Sequence, residues 1–400
     1  MDHKTLSHAL GRREVLKVAG MSILGLGLPQ LSLDQVWGAP SPEDLLVYVG
    51  TYTSGRSEGI YLYSLGLSTG ELKHVATTKG VKDPSYLALA PRRRHLYAVN
   101  EVEEFAGRKT GALSAFAVDQ RTGDLSLLNQ QPTMGGAPCY VTVDQTGKFV
   151  LVANYVGGNI AVLPIRSDGS LGEATDVKQD QGSSVNAARQ AGPHAHCIVL
   201  DPANKYAYAC DLGTDKIMIY RFDERRGTLS PNKTPWVEAK PGAGPRHLTF
   251  HPDGKYAYVI NELHATVTTF GVERSEGKLK ELQTLPSLPR EPTAADSGAD
   301  IHVSPNGRFL YCSNRGHDSI AAFKIDREGM LTFIAHESTQ GKTPRNFAID
   351  PTGTFLLVAN QRSDNIVTFR IDSQTGRLSP TGQIAEVPSP VCLKFTKPFS

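Results

Sequence analysis

Apolar and polar residues alternate in short runs along this chain, and turn-forming residues separate the runs. The stretch from Gly244 to Leu285 shows the pattern most clearly. Pro245-Arg246-His247 leads into the alternating Leu248-Thr249-Phe250, and His251-Pro252-Asp253-Gly254 supplies a tight turn. Lys255 to Ile260 alternates again and stops at Asn261-Glu262. Thr266 to Val272 and Leu279 to Leu285 follow, joined through Glu276-Gly277. Period-two alternation bounded by Gly, Pro and Asn predicts strands, here four in an antiparallel unit.

The unit recurs. A glycine followed two places later by leucine occurs at Gly70, Gly123, Gly169, Gly227, Gly277, Gly329 and Gly376, with neighbours 46 to 58 residues apart. The first strand of the unit recurs after Pro84, Pro138, Pro245, Pro344 and Pro390, with variants at Ala195 and Gly298. Seven four-stranded units of this length predict an all-β, seven-bladed β-propeller. The repeating part opens on a second strand, Leu46 to Gly50, and closes on a first strand, Val391 to Phe395. Six blades are therefore continuous. The seventh is predicted to form from both termini, which leaves no open edge in the ring.

Composition agrees with a folded, turn-rich protein: 40% hydrophobic, with 38 glycines and 25 prolines among 400 residues. The 42 basic and 40 acidic residues nearly cancel and form no basic stripe, which argues against a nucleic-acid partner. Cys139, Cys197, Cys210, Cys312 and Cys392 make no C-x-x-C pair, so they read as small buried strand residues and no metal or cofactor is expected.

Residues 1–40 read as a targeting segment and linker, and 41–400 as the propeller. Arg12-Arg13 within GRREVLKVAG, followed by the apolar run Val18 to Leu28, resembles a twin-arginine export signal. That run is too short to span a bilayer. The resemblance implies the twin-arginine machinery as a partner and a periplasmic or extracellular destination.

Adjacent strands of a blade are antiparallel, so the start of each first strand and the end of each second strand share one mouth of the central channel. The first-strand starts carry Tyr86, Tyr140, His196, Arg246-His247, Asp300 and Arg345-Asn346. The second-strand ends carry Tyr52, Glu101, Tyr155, Asp211, Glu262, Arg315 and Gln361. A repeat without a site would place like residues at like positions. Here arginines, histidines and carboxylates converge. Arginine forks suit an anionic substrate, and His or Glu can move protons. Of His194 and His196, strand register favours His196 as the one facing the channel, at the position equivalent to Arg246. The long polar loop from Asp180 to Gly192 is a candidate cover for the mouth, with a conformation the sequence does not specify.

GPHAH (192–196), GPRHLTFHPDGKYAYVINEL (244–263), ADIHVSPNGRFLYCSNRGHDSIAAFKID (299–326) and PRNFAIDPTGTFLLVAN (344–360) resemble the seven-bladed lactonase family. That family includes the propeller-type 6-phosphogluconolactonase and the fungal carboxymuconate cycloisomerase. The resemblance spans Leu45 to Phe395. It implies a hydrolase opening a sugar lactone, with Glu262, His196, Arg246 and Arg315 as catalytic residues. Glu262 or His196 would activate water, and Arg246 or Arg315 would stabilise the oxyanion. Substrate binding would fall to Arg345, His247, His194, Asp300, Glu101 and Tyr155. An all-β repeat offers no strand-to-helix nucleophile elbow, so no acyl-enzyme is expected. The alternatives are a cycloisomerase using the same groups and a non-catalytic binding propeller.

Overall fold

The computed structural model describes residues 44–397, and the segment resembling an export signal lies outside them. The alternating runs form twenty-eight strands in seven four-stranded antiparallel sheets. Six sheets follow chain order. The remaining one is built from both ends: the late strand Pro390–Thr396 pairs with Leu45–Thr51, Val49 opposite Leu393 and Val47 opposite Phe395. The closure expected from the order of strands is present.

The inner strands of the seven blades are Pro390–Thr396, Leu87–Leu89, Pro138–Val143, Ala195–Leu200, Pro245–Phe250, Ser297–Val303 and Pro344–Ile349. Each packs on the inner strands of both neighbours, so they close into a ring around a channel. The second strands are almost entirely buried, as in Phe149–Asn154 and Phe355–Asn360, and their side chains fill the layers between blades. The outer strands alternate half-buried and exposed residues, as sheet edges facing water do.

The repeated glycines have a specific duty. All seven have φ between +65° and +87°, the left-handed region that glycine enters without a Cβ clash. Five also accept a hydrogen bond from a tyrosine on the preceding blade: Tyr48 to Gly123 (2.6 Å), Tyr97 to Gly169 (3.0 Å), Tyr208 to Gly277 (3.0 Å), Tyr258 to Gly329 (3.0 Å) and Tyr311 to Gly376 (2.9 Å). A Cβ at Gly277 would lie 2.3 Å from the Tyr206 ring. The repeat therefore marks a blade-to-blade latch as well as a turn.

One irregularity shapes the channel. The register between inner and second strands slips at Pro138/Tyr140, Ala195/Cys197, Pro245/His247, Gly298/Ile301 and Pro344/Asn346. These are β-bulges, each leaving an extra residue outside the ladder: Cys139, His196, Arg246, Ala299 with Asp300, and Arg345. A bulge re-aims side chains that strict alternation would send to opposite faces.

Candidate active site

Glu262, at the end of a second strand, is the hub of the mouth. Its Oε2 accepts from Arg246 Nε at 3.0 Å and lies 3.0 Å from Arg315 Nη2, while its Oε1 accepts from Arg189 Nη2 at 2.6 Å. Burial alone would raise its pKa, but the charges of Arg315, Arg246 and Arg189 outweigh that and hold it far below the usual carboxylate range. It is an ionised, weakly basic anchor.

Arg246 is 2% exposed. Besides Glu262, its Nη1 donates to the Ala299 carbonyl and, at 3.1 Å, to His247 Nε2. Arg315 Nη2 also donates to the Gly298 carbonyl at 2.9 Å. Arg315 Nε is buried and has no protein acceptor among the described residues. Burial and the like charges of Arg246 and Arg345 bring Arg315 down to about 10 despite the pull of Glu262.

Arg345 belongs to an adjoining group. Its guanidinium lies 4.0 Å from Glu101 Oε1 and 5.4 Å over the Tyr52 ring. Tyr52 donates to Glu101 Oε2 at 2.9 Å, and Ser85 Oγ donates to the same oxygen. Across both groups, four guanidiniums meet the two carboxylates Glu262 and Glu101, a formal excess of two positive charges.

Tyr155 adjoins the Glu262 group through Arg189. Its ring stacks on His194 (4.5 Å, 13°) and meets His196 edge-on (5.4 Å), and its hydroxyl accepts from Arg189 at 3.2 Å. Both histidines therefore lie against one aromatic wall, where the register argument placed only His196. Residues two apart on an extended chain share a face, and the bulge at His196 keeps that ring on the channel side. His194 Nδ1 is 2.9 Å from the Tyr155 carbonyl, so Nδ1 carries the proton and Nε2 is an acceptor. His196 is buried, and burial followed by the Arg246 charge lowers its pKa far below the ordinary histidine value.

Asp300 is not open to a ligand at this mouth. His247 Nδ1 (2.7 Å), His302 Nε2 (2.9 Å), Asn346 Nδ2 and the Ile301 N–H (3.0 Å) already occupy its carboxylate. The two-residue bulge between Gly298 and Ile301 sinks it into the channel wall.

Arg189 escaped the reading of the repeat because it belongs to no blade position. It sits on the 181–194 loop, and at 41% exposure it is the most open arginine of the group around Glu262. The only sequence signal was the length and polarity of that loop. Among the described residues no cluster of three or more His, Cys, Asp or Glu could hold a metal ion, and all five cysteines are buried and unpaired.

Residues 46–395 match the family described as lactonase, 7-bladed beta-propeller. The chain belongs to the seven-bladed propeller lactonase family. Within that family it is 38% identical to the 6-phosphogluconolactonase of Bacillus subtilis over 349 residues, 87% of this chain and 97% of that protein. It is 36% identical to the 6-phosphogluconolactonase of Formosa agariphila over 305 residues, 75% of this chain and 85% of that protein. Among solved structures it is similar to the periplasmic gluconolactonase of Pseudomonas aeruginosa, with 36% identity and a TM-score of 0.83 over 89% of this chain and 99% of that one. Homology thus supports a lactonase-type hydrolase, and the site described above lies within the part of the chain that carries the family likeness.

Proposed function

We propose that this propeller lactonase opens a sugar lactone to its aldonic acid, with Arg246 and Arg315 stabilising the tetrahedral oxyanion. The observation that carries the reading is the convergence of Arg246 and Arg315 on one oxygen of Glu262 in a buried site with surplus positive charge. Preorganised donors in a water-poor site stabilise developing negative charge more than solvent does. Arg315 Nε supplies a donor that no acceptor among the described residues uses.

The base is assigned to His194. Glu262 is too weakly basic, and burial, then the Arg246 charge, keep His196 neutral and weakly basic as well. His194 presents an Nε2 lone pair beside Tyr155, oriented by its Nδ1–H bond to the Tyr155 carbonyl. It takes a proton from the attacking water, in the manner of an oriented general base. Arg345, beside Glu101 and Tyr52, binds hydroxyls of the substrate and the carboxylate formed on ring opening.

The substrate is an unphosphorylated aldonolactone met after export. The Arg12-Arg13 segment and the likeness to a periplasmic gluconolactonase both support that location. The test is acid release from glucono-lactone and from 6-phosphogluconolactone, followed with a pH indicator. Faster turnover of the unphosphorylated lactone supports the reading. Turnover of a carboxymuconate with no lactone opening points to a cycloisomerase, and binding without acid release to a non-catalytic module.

A further inference from the structure

Two cavities along the channel share Tyr86 and His247 in their walls, and of these two His247 carries the imidazole. A cavity of ≈ 10 Å³, the room of about one water, lies beneath the mouth against Glu101, Arg246, His247 and Arg345. A second, of ≈ 290 Å³, is lined by residues late in the inner strands, among them Val143, Leu200 and Phe250, and so opens at the other end of the channel. His302 and Asp300 line that far cavity together with His247.

A continuous polar chain joins the two. His302 Nε2 lies 2.9 Å from Asp300 Oδ2, Asp300 Oδ1 lies 2.7 Å from His247 Nδ1, and His247 Nε2 lies 3.1 Å from Arg246 Nη1. Its direction follows from chemistry. Arg246 only donates, so His247 Nε2 must be the acceptor and Nδ1 must carry the proton given to Asp300. Burial, then the Arg246 charge, push His247 down to about 3, which keeps the ring neutral. Asp300 accepts that hydrogen bond as an ionised carboxylate, because burial, which would raise its pKa, is overcome by His302 and His247. Asn346 and the Ile301 N–H hold the carboxylate in place.

We propose that His247 is a positioning residue: Asp300 and His302 lock it in the Nδ1–H tautomer, and its Nε2 then fixes the Arg246 guanidinium against Glu262. A residue of the far mouth thereby controls the geometry of the catalytic mouth. The kinetic part rests on the lactonase reading. The tautomer does not.

The test combines 15N NMR of histidine-labelled protein with kinetics on glucono-lactone. In the wild type, His247 is expected to show a protonated Nδ1 and an unprotonated Nε2 throughout the neutral range. His247→Leu is expected to lower kcat by about 10- to 100-fold, the scale of one hydrogen bond to a charged group, while KM changes little. His247→Gln, which keeps an acceptor for Arg246, is expected to recover most of that loss. Should His247→Leu fail to fold, His302→Phe at the far cavity serves instead, with shifted His247 15N signals and a lower kcat. Protonation of His247 at Nε2, or unchanged kcat in His247→Leu or in His302→Phe, overturns the proposal. A wild type that opens no lactone overturns the functional reading, and the NMR arm still decides the positioning claim.

Discussion

Arg246 and Glu262, sixteen residues apart, meet at 3.0 Å in a place where both side chains are almost wholly removed from water. The contact spans one blade, from the start of its inner strand to the residue after its second strand. Arg246→Ala is expected to lower kcat/KM for lactone by roughly 10²–10³, the usual cost of one oxyanion donor. Arg246→Lys should not restore it, because an ammonium cannot serve Glu262, Ala299 and His247 together. Near-wild-type turnover in either variant counts against the assignment.

Glu262→Gln tests the anchor. Removing the carboxylate leaves Arg246, Arg315 and Arg189 without their shared counter-charge, and breaking a buried ion pair on one side costs about 3–5 kcal/mol. The expected result is a marked fall in the chemical-denaturation midpoint together with lost activity. Stable protein with intact activity would show that Glu262 is dispensable.

Arg189 behaves differently because it is half exposed on a loop. Arg189→Ala is expected to change stability by no more than about 1 kcal/mol. Its effect should appear as a several-fold rise in KM with kcat little altered. Steady-state kinetics beside a thermal melt separates this outcome from a general loss of fold.

Asp180 sets a pH dependence. It is buried at the end of an outer strand, accepts from the Tyr220 hydroxyl at 3.3 Å, and is pushed up to about 7 by burial and then by Asp211. The folded protein therefore holds a proton that the unfolded chain, titrating near 3.8, has released. Stability from this group is full below the unfolded value and falls as pH rises from there to about 7. Asp180→Asn should be more stable than wild type on the alkaline side of that window, by on the order of 4 kcal/mol, with the gap closing on the acid side. Urea melts across pH would show a constant gap if Asp180 does not titrate in this way.

Deletion of residues 390–400 removes the inner strand that pairs with Leu45–Thr51, and with it the Leu393 N–H donated to Asn346 Oδ1. The ring then has an open edge on buried strands. The truncated chain is expected to lose its cooperative unfolding transition or to aggregate, seen by circular dichroism and gel filtration. A soluble truncation with a wild-type melt would contradict the closure.

The amino-acid sequence alone carried the strands, the seven-fold repeat and the closing strand, because alternation and turn chemistry are local properties of neighbouring residues. It also brought His196, Arg246, Glu262, Arg315 and Arg345 to one mouth, since equivalent positions of stacked blades must coincide. Asp144, Asp201 and Asp350 each accept backbone N–H groups of their own turns, which is local chemistry of the same kind. Other features depend on contacts between blades and lie beyond any local pattern. The bulges that bring Arg246 and His247 together, the withdrawal of Asp300 into the wall, the tyrosine bonds to the repeat glycines and the arrival of Arg189 from a non-repeating loop all belong to this second kind. Alternation decides which face a residue shares within its own strand. Only packing against the next blade decides which partner waits there.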